Sequence, residues 1–175
     1  MADKNPRIIG FPPISASGAR VLILGSMPGT ASLAANEYYA HPRNAFWKLM
    51  GILLDIPTGS TYEVRTRALT EAGIAVWDVV LSCRRTGSLD TQIEPASVRL
   101  NDFESFYSQH RHIQLVCFNG AAAERWYRAS GPHLAGGPER KHVRLPSTSP
   151  AHAGLSFEAK LTAWHTAIKP ALHAA

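Results

Sequence analysis

The sequence has little cysteine, no long apolar run and a shortage of acidic residues. Its two cysteines, Cys83 and Cys117, share no CxxC spacing. They are too few for a four-thiolate zinc or iron–sulfur centre, and they read as reduced, buried thiols. No apolar stretch approaches the roughly 18 residues that a membrane span requires. The first thirteen residues carry early charges and close prolines without a long apolar core, unlike a secretory signal, so cytoplasmic residence is expected. Asp and Glu number 13 against 18 Lys and Arg, a net charge of +5 over 175 residues. That excess favours a polyanionic partner through phosphate neutralisation and counterion release. The length suits one compact domain, 1–175, with an irregular N-terminal segment over 1–18. A monomer is expected.

Present instead are short β-branched runs separated by helical periods. Arg20–Gly25 predicts a strand buried on both faces and ending on glycine. From Asn44 onward, Phe46, Leu49, Met50 and Leu53 recur at helical spacing and stop before Pro57. Tyr62–Ala72 predicts a helix closed by Gly73, and Ile74–Trp77 a second buried strand ending at Asp78. Ser82–Asn101 is polar, has no period and reads as a long surface loop. Asp102–His110 suggests a helix, Ile113–Phe118 a third strand and Gly120–Ala129 another helix. Gly131–Gly137 reads as a turn-rich connection, His142–Leu145 as a fourth strand, Pro146–Ala153 as a loop, and the chain from Ser156 as a last helix with Pro170 near its end. This alternation implies an α/β fold: three layers, α/β/α, around a mainly parallel four-stranded sheet with right-handed crossovers. Sites in such sheets gather beyond the carboxyl ends of the strands. The informative segments are therefore 26–47, 78–90, Asn119 and 146–152.

Gly25-Ser26-Met27-Pro28-Gly29 lacks both the GxGxxG spacing and a Lys-Ser/Thr pair, so it is neither a dinucleotide fingerprint nor a P-loop. Alone it reads as a tight turn. Its company gives it weight: Tyr38-Tyr39-Ala40-His41-Pro42-Arg43-Asn44-Ala45-Phe46-Trp47 downstream, a run from Trp77-Asp78 through Arg84-Arg85 to Gly87-Ser88-Leu89-Asp90, and Leu145-Pro146-Ser147-Thr148-Ser149-Pro150-Ala151 after the last strand.

In that order and over roughly 20–164, these four motifs resemble the uracil-DNA glycosylase superfamily, and more narrowly its hypoxanthine (deoxyinosine) branch. The resemblance implies that the loop from Gly25 to Gly29 cradles the scissile nucleotide, and that the loop after the last strand supports the DNA backbone. It implies no cofactor and no metal. Relatives with an acid or amide inside the first motif are not matched here, because Ser26 and Met27 can neither activate nor firmly orient water. The branch resemblance shifts the catalytic role to Asn44, whose side-chain carbonyl could hold water and stabilise a developing cation, although an amide is no general base. Asn44 could equally be a helix N-cap. Asp78 stands where uracil-specific relatives carry a base-reading asparagine. A carboxylate there would accept from N1–H of hypoxanthine, or else cap its own turn. Phe46 and Trp47 are offered as stacking partners for a flipped base, with core packing the competing reading for Phe46. Tyr39, His41 and Asn119 complete the expected substrate pocket. Arg43, Arg84, Arg85, Ser147, Thr148, Ser149 and His152 are the expected DNA contacts. Leu145 replaces a histidine common among relatives. His110-x-His112 reads as a polar helix end.

The expected activity is hydrolytic release of a deaminated base from DNA, with no lysine in the motifs for a lyase step. The alternatives are a uracil or G:U/T mismatch enzyme, a basic DNA-binding module without catalysis, or a small-molecule α/β enzyme.

Overall fold

The computed structural model describes residues 6–130 and 139–173, so the expected connection at 131–137 lies outside the described residues. In chain order the strands are β1 (Arg7–Ile9), β2 (Val21–Gly25), β3 (Ile74–Asp78), β4 (Val80–Arg84), β5 (Arg99–Leu100), β6 (Leu115–Asn119) and β7 (Lys141–Leu145). The helices are α1 (Thr30–Ala35), α2 (Phe46–Leu54), α3 (Tyr62–Glu71), α4 (Phe103–Gln109), α5 (Ala121–Ala129) and α6 (Phe157–His173). Four strands, in the order β3-β2-β6-β7, form the expected parallel sheet.

Period-two alternation in β2 explains the three layers. Val21 and Ile23 face one way, into a core shared with Phe46, Leu49, Met50 and Leu53 of α2 and with Trp164, Ile168 and Leu172 of α6. Leu22 and Leu24 face the other way, onto Phe103, Phe106 and Tyr107 of α4 and Tyr127 of α5. Each buried side chain of this size contributes about 1.5–3 kcal/mol. His110 ends α4 as expected, its ring stacked on Phe106 at 4.1 Å.

Two expectations are corrected. The segment Ser82–Asn101 is not simply a surface loop: it contains most of β4, two 3-10 turns (Asp90–Gln92 and Pro95–Ser97) and β5. Nor is the N-terminal stretch wholly irregular, because β1 pairs antiparallel with β4, giving a second sheet of order β1-β4-β5. These pieces are too short to carry a period. They are held instead by side chain to backbone bonds: Ser97 Oγ accepts from the Arg84 amide at 2.7 Å, and Arg7 donates to Ser82 Oγ and the Ser97 carbonyl, both at 2.9 Å. A small apolar cluster of Met27, Val80, Cys83 and Ile93 lies beneath them.

Register sets up the site. Gly25 lies opposite Asp78, and Asn119 opposite Leu145, so all four strands of the parallel sheet end along one edge. The ladder continues past it, with the Val80 amide donating to the Ser26 carbonyl at 3.0 Å, which ties the loop after β2 to the start of β4.

Candidate active site

A cavity of about 430 Å³ opens beyond that edge. Its walls come from the loop after β2 into α1, the segment Tyr38–Asn44, Asp78, the segment Ser88–Asp90, Asn119, and the loop after β7.

Gly25 is fixed by close approach. A Cβ there would collide with Asp78 Oδ1 and stand 3.0 Å from the Tyr39 hydroxyl, so glycine lets both side chains converge over the strand end. Asp78 is 4% exposed, and its Oδ2 has no hydrogen-bond partner. Burial, and then the negative charge of Asp90, push its carboxyl up to about 7, against the opposing pull of the Arg85 guanidinium. Tyr39 holds a left-handed backbone at φ 56° and stacks on Phe46 with ring centroids 4.0 Å apart. Burial, followed by the nearby Asp78 charge, raises its phenol above the ordinary range and keeps it a proton donor.

The other residues of the first motif divide the work. Ser26 Oγ donates to Asp90 Oδ1 at 2.5 Å. Met27, 7% exposed, plugs the apolar cluster under β4. The Pro28 carbonyl accepts from Arg85 Nη2 at 2.5 Å, and Gly29 starts α1. That helix is six residues long with no periodic apolar signature, so nothing in the sequence predicts it. The next residue, Thr30, is clipped to Ser88 through both its amide, at 3.0 Å, and its hydroxyl, at 2.7 Å.

Asn44 lines the cavity and stands one residue before Ala45, the N-cap of α2, where its Oδ1 accepts from the Phe46 amide at 3.0 Å. The neighbouring Ala45 amide donates to the Thr148 carbonyl at 2.9 Å, binding the helix start to the last loop. His41 and Arg43 stand at the same wall, with His41 Nδ1 accepting from the Arg43 amide at 3.1 Å.

Several expected contacts fall elsewhere. Phe46 and Trp47 do not reach the cavity. Phe46 is fully buried between Tyr39 and Trp164, while Trp47 donates its Nε1–H to the Tyr38 carbonyl at 2.8 Å and packs edge-on to Tyr62. The aromatic rings that line it are Tyr38 and Tyr39. Arg85 is 3% exposed behind the first motif, out of reach of a phosphate backbone. Arg84 lies within β4, away from the cavity. Thr148 is 1% exposed and closed in a reciprocal pair with Asn119: Asn119 Nδ2 donates to Thr148 Oγ1, and the Thr148 amide donates to Asn119 Oδ1, both at 2.9 Å. That pair braces the last loop against β6. Ser147 and Ser149 remain at the cavity, whereas His152 is exposed outside it, its carbonyl accepting from Lys160 Nζ at 2.7 Å.

The structure also brings in Ser88, Leu89 and Asp90, which the sequence reading did not single out as site residues. Their signal was the Gly-Ser-Leu-Asp run at the end of the third motif, hidden in a stretch without period.

A four-stranded parallel sheet with a polar, acid-bearing cavity beyond the carboxyl ends of its strands defines an α/β protein with its site in the usual place for such sheets. Residues 12–168 match the family described as the uracil DNA glycosylase superfamily, and the chain belongs to it. Two similar proteins both carry the name hypoxanthine DNA glycosylase. The one from Methanosarcina barkeri is 38% identical over 112 residues, 63% of this chain and 70% of the relative. The one from Methanosarcina acetivorans is 34% identical over 148 residues, 84% and 89% of the two chains. The solution NMR structure of a candidate uracil DNA glycosylase from Methanosarcina acetivorans superimposes with a TM-score of 0.77 at 29% identity, covering 96% of this chain and 100% of that one.

Proposed function

We propose that this chain is a monofunctional DNA glycosylase that flips hypoxanthine out of DNA, hydrolyses its N-glycosidic bond and leaves an abasic site. The observation that carries the reading is Asp78, a dry carboxyl with one unpartnered oxygen in a cavity of small-ligand size. Ionised, it can accept from N1–H of hypoxanthine with one oxygen while the other faces C2–H. Uracil offers an N–H flanked by a carbonyl on each side, so the second oxygen would face a lone pair. The names of the two Methanosarcina relatives point to the same base.

Around this reader, the loop from Gly25 to Gly29 cradles the nucleotide. The Tyr39 hydroxyl offers a proton to the base as it gathers negative charge, and the Asn44 amide holds water at the cavity wall. Arg43, Ser147 and Ser149, which line the cavity, meet phosphate oxygens in this reading. Among the described residues no lysine lines the cavity, which supports release by water and not by a Schiff base. The basic net charge supports duplex DNA as the partner, and the chromosome-bearing cytoplasm is the proposed place of action. Among the described residues no helix is long and apolar enough to cross a membrane.

The test is base release from matched duplexes carrying one deoxyinosine or one deoxyuridine. Hypoxanthine release is expected to be the faster. Intact inosine DNA beside excised uracil would overturn the substrate assignment, and no release from either would overturn the enzymatic reading.

A further inference from the structure

Asn44 leaves the hydrolysis incomplete. An amide can orient water but cannot take its proton, and here its carbonyl oxygen already accepts the first amide of α2. Ser26 and Met27, in the first motif, cannot take a proton either. Asp78 is almost fully enclosed, faces Tyr39 over Gly25 and is committed to the base.

One acid in the cavity has no such commitment. Asp90 begins the first 3-10 turn, is only half-buried and lines the same cavity as Asn44. Two clips hold its segment against the loop after β2 and the start of α1: Ser26 Oγ on Asp90 Oδ1, and the Thr30–Ser88 pair two residues before it. The serine bond uses one carboxylate oxygen and fixes the rotamer, and Oδ2 stays available. That the cavity takes a polar ligand is indicated independently by the unpartnered Oδ2 of Asp78.

We infer that Asp90 is the catalytic base of this site, with Ser26 as its positioning residue. This rests on the glycosylase reading above. In the step, the water oxygen bonds to C1′ of the flipped deoxyribose as the C1′–N9 bond breaks. The bonding pair leaves with the base, the proton lost by the water passes to Asp90, and the departing hypoxanthine anion takes up a proton. Asp90 returns its own proton to solvent, so no other reactant is consumed. The charged and titratable groups whose fields overlap that of Asp90 are Asp78, Tyr39, Cys83 and Arg85. Of these, Arg85 is the cation that offsets a second carboxylate so close to the first.

The experiment is single-turnover base release by the full chain and by Asp90→Asn. It is paired with affinity for a duplex whose 2′-fluoro-deoxyinosine resists cleavage. Asparagine keeps an acceptor for Ser26 and is nearly isosteric, so binding should stay within about threefold while the release rate falls roughly 100-fold or more. A variant within threefold of the parent rate overturns the assignment, and so does a loss of affinity equal to the loss of rate. If Asp90→Asn loses its native circular dichroism, Ser26→Ala is read instead. It leaves the acid but removes its donor, and release roughly three- to tenfold slower is expected, with a loss of rate larger than any loss of affinity. A rate equal to the parent's overturns the proposal. Failure of the parent chain to release any base would count against the glycosylase reading itself, before any variant is compared.

Discussion

The parallel and antiparallel sheets meet at the same cavity but deliver their side chains by different means. Gly25, Asp78 and Asn119 sit at the ends of paired, buried strands, and their positions follow from ladder register. Ser88 and Asp90 sit on a connection between short antiparallel strands, and their positions follow from hydroxyl clips to Ser26 and Thr30. The proposed recognition of the base, which must be rigid to discriminate, falls on the first. The group proposed to move a proton is placed on the second, where a few tenths of an ångström of adjustment cost little.

The largest effect is expected from breaking the rigid side. Gly25→Val puts carbon where Asp78 Oδ1 lies and forces Tyr39 outward. Overpacking at a strand end between buried neighbours costs about 1–3 kcal/mol, measurable as a lowered midpoint in urea. Hypoxanthine release should fall at least about 100-fold, since displacing a contact group by an ångström is enough for that. An active Gly25→Val enzyme would mean that Asp78 does not read the base.

The same division decides what the sequence made legible. The four parallel strands, their faces and the strand-end location of the site followed from β-branched runs and helical periods, because each buried element carries its own pattern. Motif order pointed to the superfamily. The antiparallel sheet did not follow, because β1 and β5 are three and two residues long and exist through partners far along the chain. For the same reason Asp90, though inside the third motif, carries no role in the sequence reading, while Arg85 and Thr148 read as DNA contacts. Their residue types suited a surface, and only the fold shows them buried on Pro28 and Asn119. For Phe46 and Trp47 a stacking ring and a core ring are indistinguishable in sequence, so both readings stay open there. Phe46 lay on the core stripe of α2, and the structure resolves it that way.

Asp78→Asn separates recognition from stability. The carboxyl titrates near 7 when folded, against 3.8 for the free side chain, so the folded state holds its proton more tightly. Its contribution is favourable below the unfolded value and is lost as pH rises through the folded one. At pH 8 the parent carries a buried charge that the amide variant lacks. Asp78→Asn should be more stable there by on the order of 1–3 kcal/mol. Near pH 4 the difference should nearly close, since Asp78 is then neutral in the folded state and only about half ionised in the unfolded one. Thermal unfolding across pH 4–8 checks this, and equal melting at pH 8 would show that Asp78 is not held dry. Within the parent, the hypoxanthine-to-uracil release ratio should climb as pH rises through 7. The ionised carboxyl rejects a uracil carbonyl, whereas the protonated one can donate to it.

Arg85→Met tests how the antiparallel side acts on the rigid side. It removes the donor to the Pro28 carbonyl and the cation whose charge pulls the Asp78 carboxyl down. The pH at which the release ratio climbs should therefore move upward, and release at pH 7 should slow roughly three- to tenfold. An unmoved transition would uncouple the buried guanidinium from Asp78.

The smallest effect belongs to a single clip. Ser88→Ala removes the hydroxyl that meets both the amide and the hydroxyl of Thr30, but at an exposed position where water replaces both bonds. Stability should change by no more than about 0.5–1 kcal/mol. Release should slow about two- to threefold, because Ser26 still holds Asp90 and the segment keeps one of its two ties. Combined with Ser26→Ala, the loss should exceed the product of the single losses, since either clip alone retains the turn and only the pair frees it. Single-turnover rates of the two variants and the double mutant measure that excess. A strictly multiplicative result would mean that Asp90 is placed by the 3-10 turn itself and not by the hydroxyls of the opposing loop.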